Sequence, residues 1–396
     1  LQRSAFHALL LCLPASTTAV SVIHSQVPHL DSSAGLKSPL ASIRQTVQPV
    51  NAQLLILFHS TRQKQNNIRM QLENLIFDER DASARLGRGA FGTVFRAKRT
   101  IKNGEHDVAV KKLPRADTKI EELKAIRAAN NPNIVAIYDV FFQEQFCFLV
   151  MELCDSSLNA MIREEGSLSM PNFESVLKGL ASGYKALSDI GIIHRDLKPA
   201  NILLKYCIEN DSKTKTIAQV KIADFGCSRL ADTKLHTKLI GTPLYMAPEI
   251  GASVLTKGEY DFKIDMWSIG IVLYECIAGK VPFDEKALCK LFLFSANRNY
   301  VGYNGPENLP ERADQHHRYI ISSLLELDAN KRMKPAEFHC LAIHRPPLKK
   351  RKITGTYAML GQSSHWSKAP LNQVFLIPDC PLCSEQSTSK VTSSRQ

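Results

Sequence analysis

The stretch LGRGAFGTVFRAKRTIKNGEHDVAVKKL, Leu86 to Leu113, narrows the possible folds more than any other part of the chain. It opens with a G-x-G-x-x-G loop, whose glycines let backbone N–H groups approach phosphates without interference from a Cβ. Such a loop serves a dinucleotide only when a helix comes after it, because the helix N-terminus faces the pyrophosphate. Here two runs rich in β-branched and basic residues come next, separated by Asn103–Gly104, a strong short hairpin signal. The loop therefore leads into antiparallel strands, and a doubly wound parallel sheet is excluded on topology.

The rest of the 396-residue chain extends this pattern. TKIEELKAIRAAN predicts a helix with Ile120, Leu123 and Ile126 on one face, ending before Pro132. NIVAIYDVF and QFCFLVMEL predict two more strands. From Asn172 onward the periodicity is mainly helical, in FESVLKGLASGYKALSDIG, FKIDMWSIGIVLYECIAG and HRYIISSLLELD, with short strands NILL and VKIADF between the first two. The expected architecture is α+β, in one domain over 70–344: a small sheet-rich lobe with one helix over about 80–152, a hinge after Glu152, and a larger mainly helical lobe over about 155–344. No internal repeat is evident.

Six motifs succeed one another in order: G-x-G-x-x-G-x-V at Gly87–Val94, VAVK ending at Lys111, HRDLKPAN at His194–Asn201, DFG at Asp224–Gly226, APE at Ala247–Glu249 and DMWSIG at Asp265–Gly270. Together they resemble the eukaryotic protein kinase family, over residues from about 80 to 344. The resemblance implies a bilobal kinase fold and ATP-dependent transfer of a γ-phosphate to serine or threonine hydroxyls, with ATP and Mg2+ as cofactors. Lysine at position 198, in DLKPAN, matches the serine/threonine branch.

The resemblance also assigns roles. Leu86, Gly87, Arg88, Gly89, Ala90, Phe91, Gly92 and Val94 would cover the nucleotide, with Phe91 shielding the γ-phosphate. Val94 and Ala109 would roof the adenine pocket over Leu203. Met151 is the gatekeeper, and Glu152 to Cys154 would offer hinge backbone groups to adenine. Lys111 would contact the α- and β-phosphates and pair with Glu122, favoured over Glu121 by the register of the helix. Asp196 would be the catalytic base, Lys198 would neutralise the transferring phosphoryl group, and Asn201 and Asp224 would be magnesium ligands, hard oxygen donors for a hard cation. His194 and Phe225 match, with Ile126 and Ile137, an apolar stack, and Glu249 and Arg332 match a buried ion pair. Asp265 would cap backbone N–H groups of the catalytic loop.

Arg195 before the catalytic aspartate implies that a phosphate on the activation segment orders that loop, supplied by an upstream kinase or by trans-autophosphorylation. The segment offers Ser228, Thr233, Thr237 and Thr242. Thr237 is the expected phosphosite and Thr233 the competing one, while Thr242, in GTPLY, matches an architectural residue beside the substrate. The polar insertion KYCIENDSKTKTIAQ, with GTPLYMAPE, looks like the autophagy-initiating and IκB-kinase-related groups.

The net charge of +12 resides in the flanks: six basic and one acidic residue precede Met70, eight and two come after His339, and 36 basic against 35 acidic residues lie between. A nucleic-acid-binding domain would more often carry its basic patch within the fold, so no nucleic acid is expected. The ten cysteines are scattered among apolar segments, as buried thiols are in a reducing compartment. Cys380 and Cys383 form one C-x-x-C pair, but the nearest complementary pair, Cys340 and His344, lies about forty residues upstream, which disfavours zinc. No apolar run is long enough to span a membrane.

Residues 1–69 are an unassigned extension, read as translated leader or an artefact of an incomplete gene model rather than as a targeting segment. Residues 345–396 form a basic, Ser-rich tail, with RPPLKKRK at Arg345–Lys352. The expected location is cytoplasmic, or nuclear through that run. The alternative from another class, a pseudokinase scaffold, predicts loss of a charge-managing residue. Lys111, Asp196, Asn201 and Asp224 are all present.

Overall fold

The computed structural model describes residues 70–72, 75–89, 92–102, 104–207, 215–230, 242–253, 261–301, 303 and 305–345. Within these the chain divides into two compact units, with the boundary between Lys111 and Lys112.

The first unit is an antiparallel ribbon. Strands β1 (Met70–Leu72) and β2 (Leu75–Phe77) pair in register Met70↔Phe77, and β2 continues onto β4 (Gly92–Ile101) through Leu75↔Arg99. Strand β3 (Arg85–Gly89) pairs with β4 from Arg85↔Phe95 to Gly89↔Gly92, so the glycine loop is the tip of a hairpin, as its sequence context requires. Strand β5 (Gly104–Pro114) neighbours β4. Side chains alternate along β4: Phe95 and Ala97 are buried, while Arg96 and Lys98 point outward to Asp107 at 3.5 and 3.3 Å. Leu75, Phe77 and Val108–Val110 complete this core, with the Phe77 and Phe95 rings 5.6 Å apart. The sheet begins at Met70, the first residue of the expected domain and ahead of the lobe expected from about 80. Three-residue strands are too short to show a periodicity.

The second unit begins at Lys112. Helix α1 (Ile120–Ala129) ends in Asn130 at φ +42°, before Pro132. Its apolar face is only partly buried: Ile126 is in the core, whereas Ile120 is exposed. Strands β6 (Ile137–Gln143) and β7 (Phe146–Glu152) form an antiparallel hairpin. The expected division after Glu152 does not match the boundary in contacts. The reason lies in the link before β6, where Val135 N donates to Ile222 O and Ile222 N donates to Asn133 O, both at 2.9 Å. Those bonds tie the chain just before β6 to the strand that ends at Ile222.

After Glu152 come β8 (Ser156–Ser157), α2 (Leu158–Glu165) and α3 (Met170–Asp189). Ser157 and Ser169 cap these helices by accepting from Ala160 N and Asn172 N. Next are β9 (Ile192–Ile193), β10 (Ile202–Tyr206), β11 (Ile217–Ile222) and β12 (Arg229–Leu230). β10 is the centre of a three-stranded antiparallel sheet between β11 and β8, and β12 pairs with β9.

The remaining described elements are α4 (Pro248–Ala252), α5 (Lys263–Ala278), α6 (Glu285–Asn297), α7 (Gln315–Leu324) and α8 (Pro335–His344). Helix α5 is buried almost all round, from Ile264 to Ile277, which explains why its sequence shows no polar face. Two α3 glycines permit close packing. A Cβ at Gly179 would lie 2.6 Å from Val220 Cβ, and one at Gly183 would lie 2.6 Å from Asn133 O. No helix among the described residues is long and apolar enough to cross a membrane.

Candidate active site

The link between β9 and β10 gathers the charged groups expected for catalysis. Asp196 is buried, and three side chains donate to its carboxylate: Lys198 Nζ to Oδ2 at 2.8 Å, Asn201 Nδ2 to Oδ2 at 3.1 Å, and Thr242 Oγ1 to Oδ1 at 3.1 Å. Asn201 Nδ2 also donates to Asp196 O at 2.8 Å, and Lys198 Nζ to Thr242 Oγ1 at 2.8 Å. The 3-10 turn Pro199–Asn201 brings Asn201 back over Asp196. A carboxylate so surrounded is an acceptor fixed in orientation, and the lysine beside it is a cation held at the same point. Thr242 is bonded to both, accepting from Lys198 and donating to Asp196.

A second carboxylate holds this loop from beneath. Asp265, on the first turn of α5, is fully buried and accepts from His194 N at 2.6 Å, Arg195 N at 2.8 Å and Tyr184 OH at 2.9 Å. Those bonds accompany the left-handed conformation of Arg195, φ +68°. Burial raises the Asp265 carboxyl above its usual range, against the pull of His194 and the two amides. Burial, with the Asp265 charge, also pushes the Tyr184 hydroxyl well up.

Asp196 N donates to His194 Nδ1 at 3.3 Å, and the ring's Nε2 lies 2.9 Å from Ala223 O. Its ring lies 5.3 Å from that of Phe225. Ile126, Ile137 and Phe225 are all buried, as the apolar-stack reading expects. Tyr184 was not singled out from sequence, since a buried tyrosine on a helix looks like ordinary core.

Asp224 is also left-handed, φ +63°, and accepts from Gly226 N at 3.3 Å. Ala223 N donates to Asn201 O at 2.9 Å, which binds this turn to the catalytic loop. No group of three His, Cys, Asp or Glu side chains among the described residues could hold a metal ion. One Asp and one Asn could at most supply part of the coordination of a hard cation that keeps several waters. The Asn201 amide nitrogen is occupied by Asp196, which leaves its oxygen for a cation.

On helix α1, Glu121 points outward and pairs with Lys124 at 2.8 Å, while Glu122 is half-buried. Gly87, Gly89, Gly92, Val94, Ala109 and Lys111 stand in the first unit, and Ala90 and Phe91 lie outside the described residues.

At the hinge, Met151, Leu153 and Cys154 are half-buried and Glu152 is buried. Burial, then the charge of Glu152, pushes the Cys154 thiol up to about 12. The Glu152 carboxylate was expected to matter only for its backbone. It lies instead between Lys205 and Lys221, which no motif flagged; the available signal was a lysine inside the apolar strand VKIADF.

The activation segment is described at its two ends. Ser228 is fully buried and donates from Oγ to Phe225 O at 2.8 Å. Thr233 and Thr237 lie outside the described residues, as do Cys380, Cys383 and the basic run after Arg345. Lys119, missed from sequence, donates to Ser228 O at 2.6 Å and Gly226 O at 3.2 Å. Burial, then the neighbouring Arg195 charge, lowers its ammonium below the usual lysine range. Arg195 Nε donates to Cys227 O at 2.7 Å.

The large C-terminal ion pair is as expected. Arg332 grips Glu249 with both guanidinium nitrogens, at 2.6 and 3.0 Å, and lies 5.1 Å over the Trp267 ring.

Comparison with known proteins agrees with this geometry. The protein kinase domain model matches residues 81–341. The chain is 35% identical over 262 residues to serine/threonine-protein kinase ULK1 of Homo sapiens, covering 64% of this chain and 24% of that protein. It is 36% identical over 215 residues to serine/threonine-protein kinase ATG1c of Arabidopsis thaliana, covering 52% and 28%. Myosin light chain kinase A of Dictyostelium discoideum is 32% identical over 282 residues, with 68% of this chain and 88% of that protein covered. The chain therefore spans under a third of ULK1 and ATG1c, the relatives that carry its resemblance to the autophagy kinases. With its antiparallel sheet, its mainly helical second unit and a matched domain over most of its described length, the chain belongs to the protein kinase family, as a serine/threonine kinase.

Proposed function

We propose that the chain transfers the γ-phosphate of Mg-ATP to serine or threonine hydroxyls of protein substrates, in a signalling role. The observation that carries this reading is the buried Asp196 carboxylate, with Lys198, Asn201 and Thr242 all within 3.1 Å. Phosphoryl transfer needs little covalent help from the protein, so positioning and charge neutralisation are the main tasks.

Asp196 orients the acceptor hydroxyl and takes its proton. That Thr242 Oγ1 donates to Asp196 Oδ1 supports this, because an alcohol proton already reaches that oxygen. Lys198 offsets negative charge between the acceptor and the transferring group. Asn201 holds the Asp196 backbone and side chain, and its oxygen, with Asp224, would hold Mg2+. The bound metal would supply neutralisation of phosphate charge. Gly87, Gly89, Gly92 and Lys111 are assigned to the phosphates on the family pattern alone.

Activation is assigned to a phosphate on Thr237, or on Thr233, paired with Arg195. The three cations Lys119, Arg195 and Arg229 near the start of the segment support that reading. The test is γ-phosphate transfer from Mg-ATP to a generic protein by the full chain, with phosphoamino acid analysis. Phosphoserine and phosphothreonine are expected, with the Mg2+ requirement raised in N201A and D224N. Transfer to tyrosine, or none from folded and loop-phosphorylated protein, contradicts the reading.

A further inference from the structure

The antiparallel pair β10 and β11 carries an unusual arrangement on one face. Leu203 and Lys205 share that face two residues apart on β10, and Lys221 lies directly opposite Leu203 on β11. Both lysines reach the same carboxylate: Lys205 Nζ is 2.5 Å from Glu152 Oε1 and Lys221 Nζ is 2.8 Å from Oε2. Lys221 is almost fully buried and donates also to Pro132 O at 2.9 Å. Ala136 N donates to Glu152 Oε2 at 3.3 Å, and Glu152 N to Ala136 O at 3.0 Å. Three residues on, Asp155 N donates to Leu204 O at 3.0 Å and Asp155 Oδ2 accepts from Tyr206 N at 2.9 Å.

The segment from Glu152 to Ser157 is thus fastened to β10 at both ends. At the Glu152 end the fastening is ionic and buried. A buried ion cluster adds little net stability compared with apolar residues of the same volume, but it fixes geometry, because each charge must meet its partner.

We infer that Lys221, with Lys205 and through Glu152, is a positioning residue for the nucleotide: the cluster sets the Leu153–Cys154 backbone against Leu203, the face expected to take adenine. This inference rests on the ATP reading of the hinge. It makes the lysines determinants of nucleotide affinity, although neither touches the reacting atoms.

The test uses the full chain and two readouts, Mg-ADP binding by titration calorimetry and steady-state transfer with ATP varied. K221M should weaken Mg-ADP binding and raise the KM for ATP by about tenfold, the range of one buried charge-assisted hydrogen bond. Its kcat at saturating ATP should stay within about threefold. K221R, which keeps the cation, should restore most of the affinity, and K205M, at the more exposed lysine, should show a smaller loss.

Stability is separated from positioning by the double variant E152M/K221M, which replaces the pair with apolar side chains. Its melting temperature should approach wild type while its KM for ATP stays raised. A KM that recovers along with the melting temperature overturns the inference, as does K221M with unchanged Mg-ADP affinity or with raised activity. Wild-type protein that binds no Mg-ADP would overturn the ATP reading and this inference with it. Binding that K221M leaves intact would overturn the inference alone.

Discussion

Glu152 and Asp265 are both buried, yet they hold their protons with opposite strength. For Glu152, burial pushes the carboxyl up, but hydrogen bonds from Lys205 and then Lys221 outweigh it and leave the group below the usual glutamate range. Its folded form therefore binds a proton less tightly than the unfolded chain. The stability it contributes is present above the unfolded value of about 4.3 and is lost as pH falls through the folded one. Asp265 has the opposite sign, since burial raises its carboxyl and the folded state gains relative stability as pH falls through that raised value. E152Q should cost about 1.5–3 kcal/mol near pH 7, and the difference from wild type should shrink toward pH 3.5. Urea-unfolding midpoints across that range check this; a difference independent of pH would contradict it. Cys154 gives a separate check, because a thiol pushed up to about 12 stays protonated at pH 8. Exposed Cys207 should be alkylated at least about tenfold faster than Cys154, as read by mass spectrometry.

Helix α3 shows what single elements demand. Gly179 and Gly183 look like weak points inside a helix, where glycine costs about 1 kcal/mol relative to alanine. Their reason appears only in three dimensions, in the approach of Val220 and Asn133 to within 2.6 Å of where a Cβ would stand. G183A, whose nearest neighbour is backbone, should destabilise by about 1–3 kcal/mol despite its better helix propensity. Equal or higher stability in chemical denaturation would contradict the packing. At the start of α4, Glu249 faces a fully buried Arg332 side chain, so E249A leaves a charge without its carboxylate and should cost about 3–5 kcal/mol. Differential scanning calorimetry of the full chain reads both.

For the whole molecule, legibility depended on the kind of constraint. The residue types at Asp196, Lys198, Asn201 and Asp224 suit phosphoryl transfer, but their order and spacing were readable only through the resemblance to the protein kinase family, whose domain model matches residues 81–341. That FGTVFRAKRT forms strand β4 and FKIDMWSIGIVLYECIAG forms helix α5 was legible from residue type and periodicity, whereas the alternation along β4 and the burial of α5 on every side appeared only in the structure. Strands β1 and β2 were not legible, because three residues carry no period. The division at Lys111 and the Glu152–Lys221 contact were not, because each depends on which distant segments meet. A lysine in an apolar strand looks like an exposed edge until its carboxylate is found. The fold and the catalytic loop were therefore read largely from the chain, and the support beneath them required coordinates.

The central claim, that the Asp196 cluster carries phosphoryl transfer, is tested most directly by one substitution. D196N keeps the shape of the side chain and can still accept from Lys198, but it cannot take the hydroxyl proton. The account predicts that the folded variant of this chain binds Mg-ADP as wild type does while its kcat for transfer to serine and threonine falls by about 100-fold or more. A D196N variant that transfers phosphate within a few-fold of wild type would contradict it.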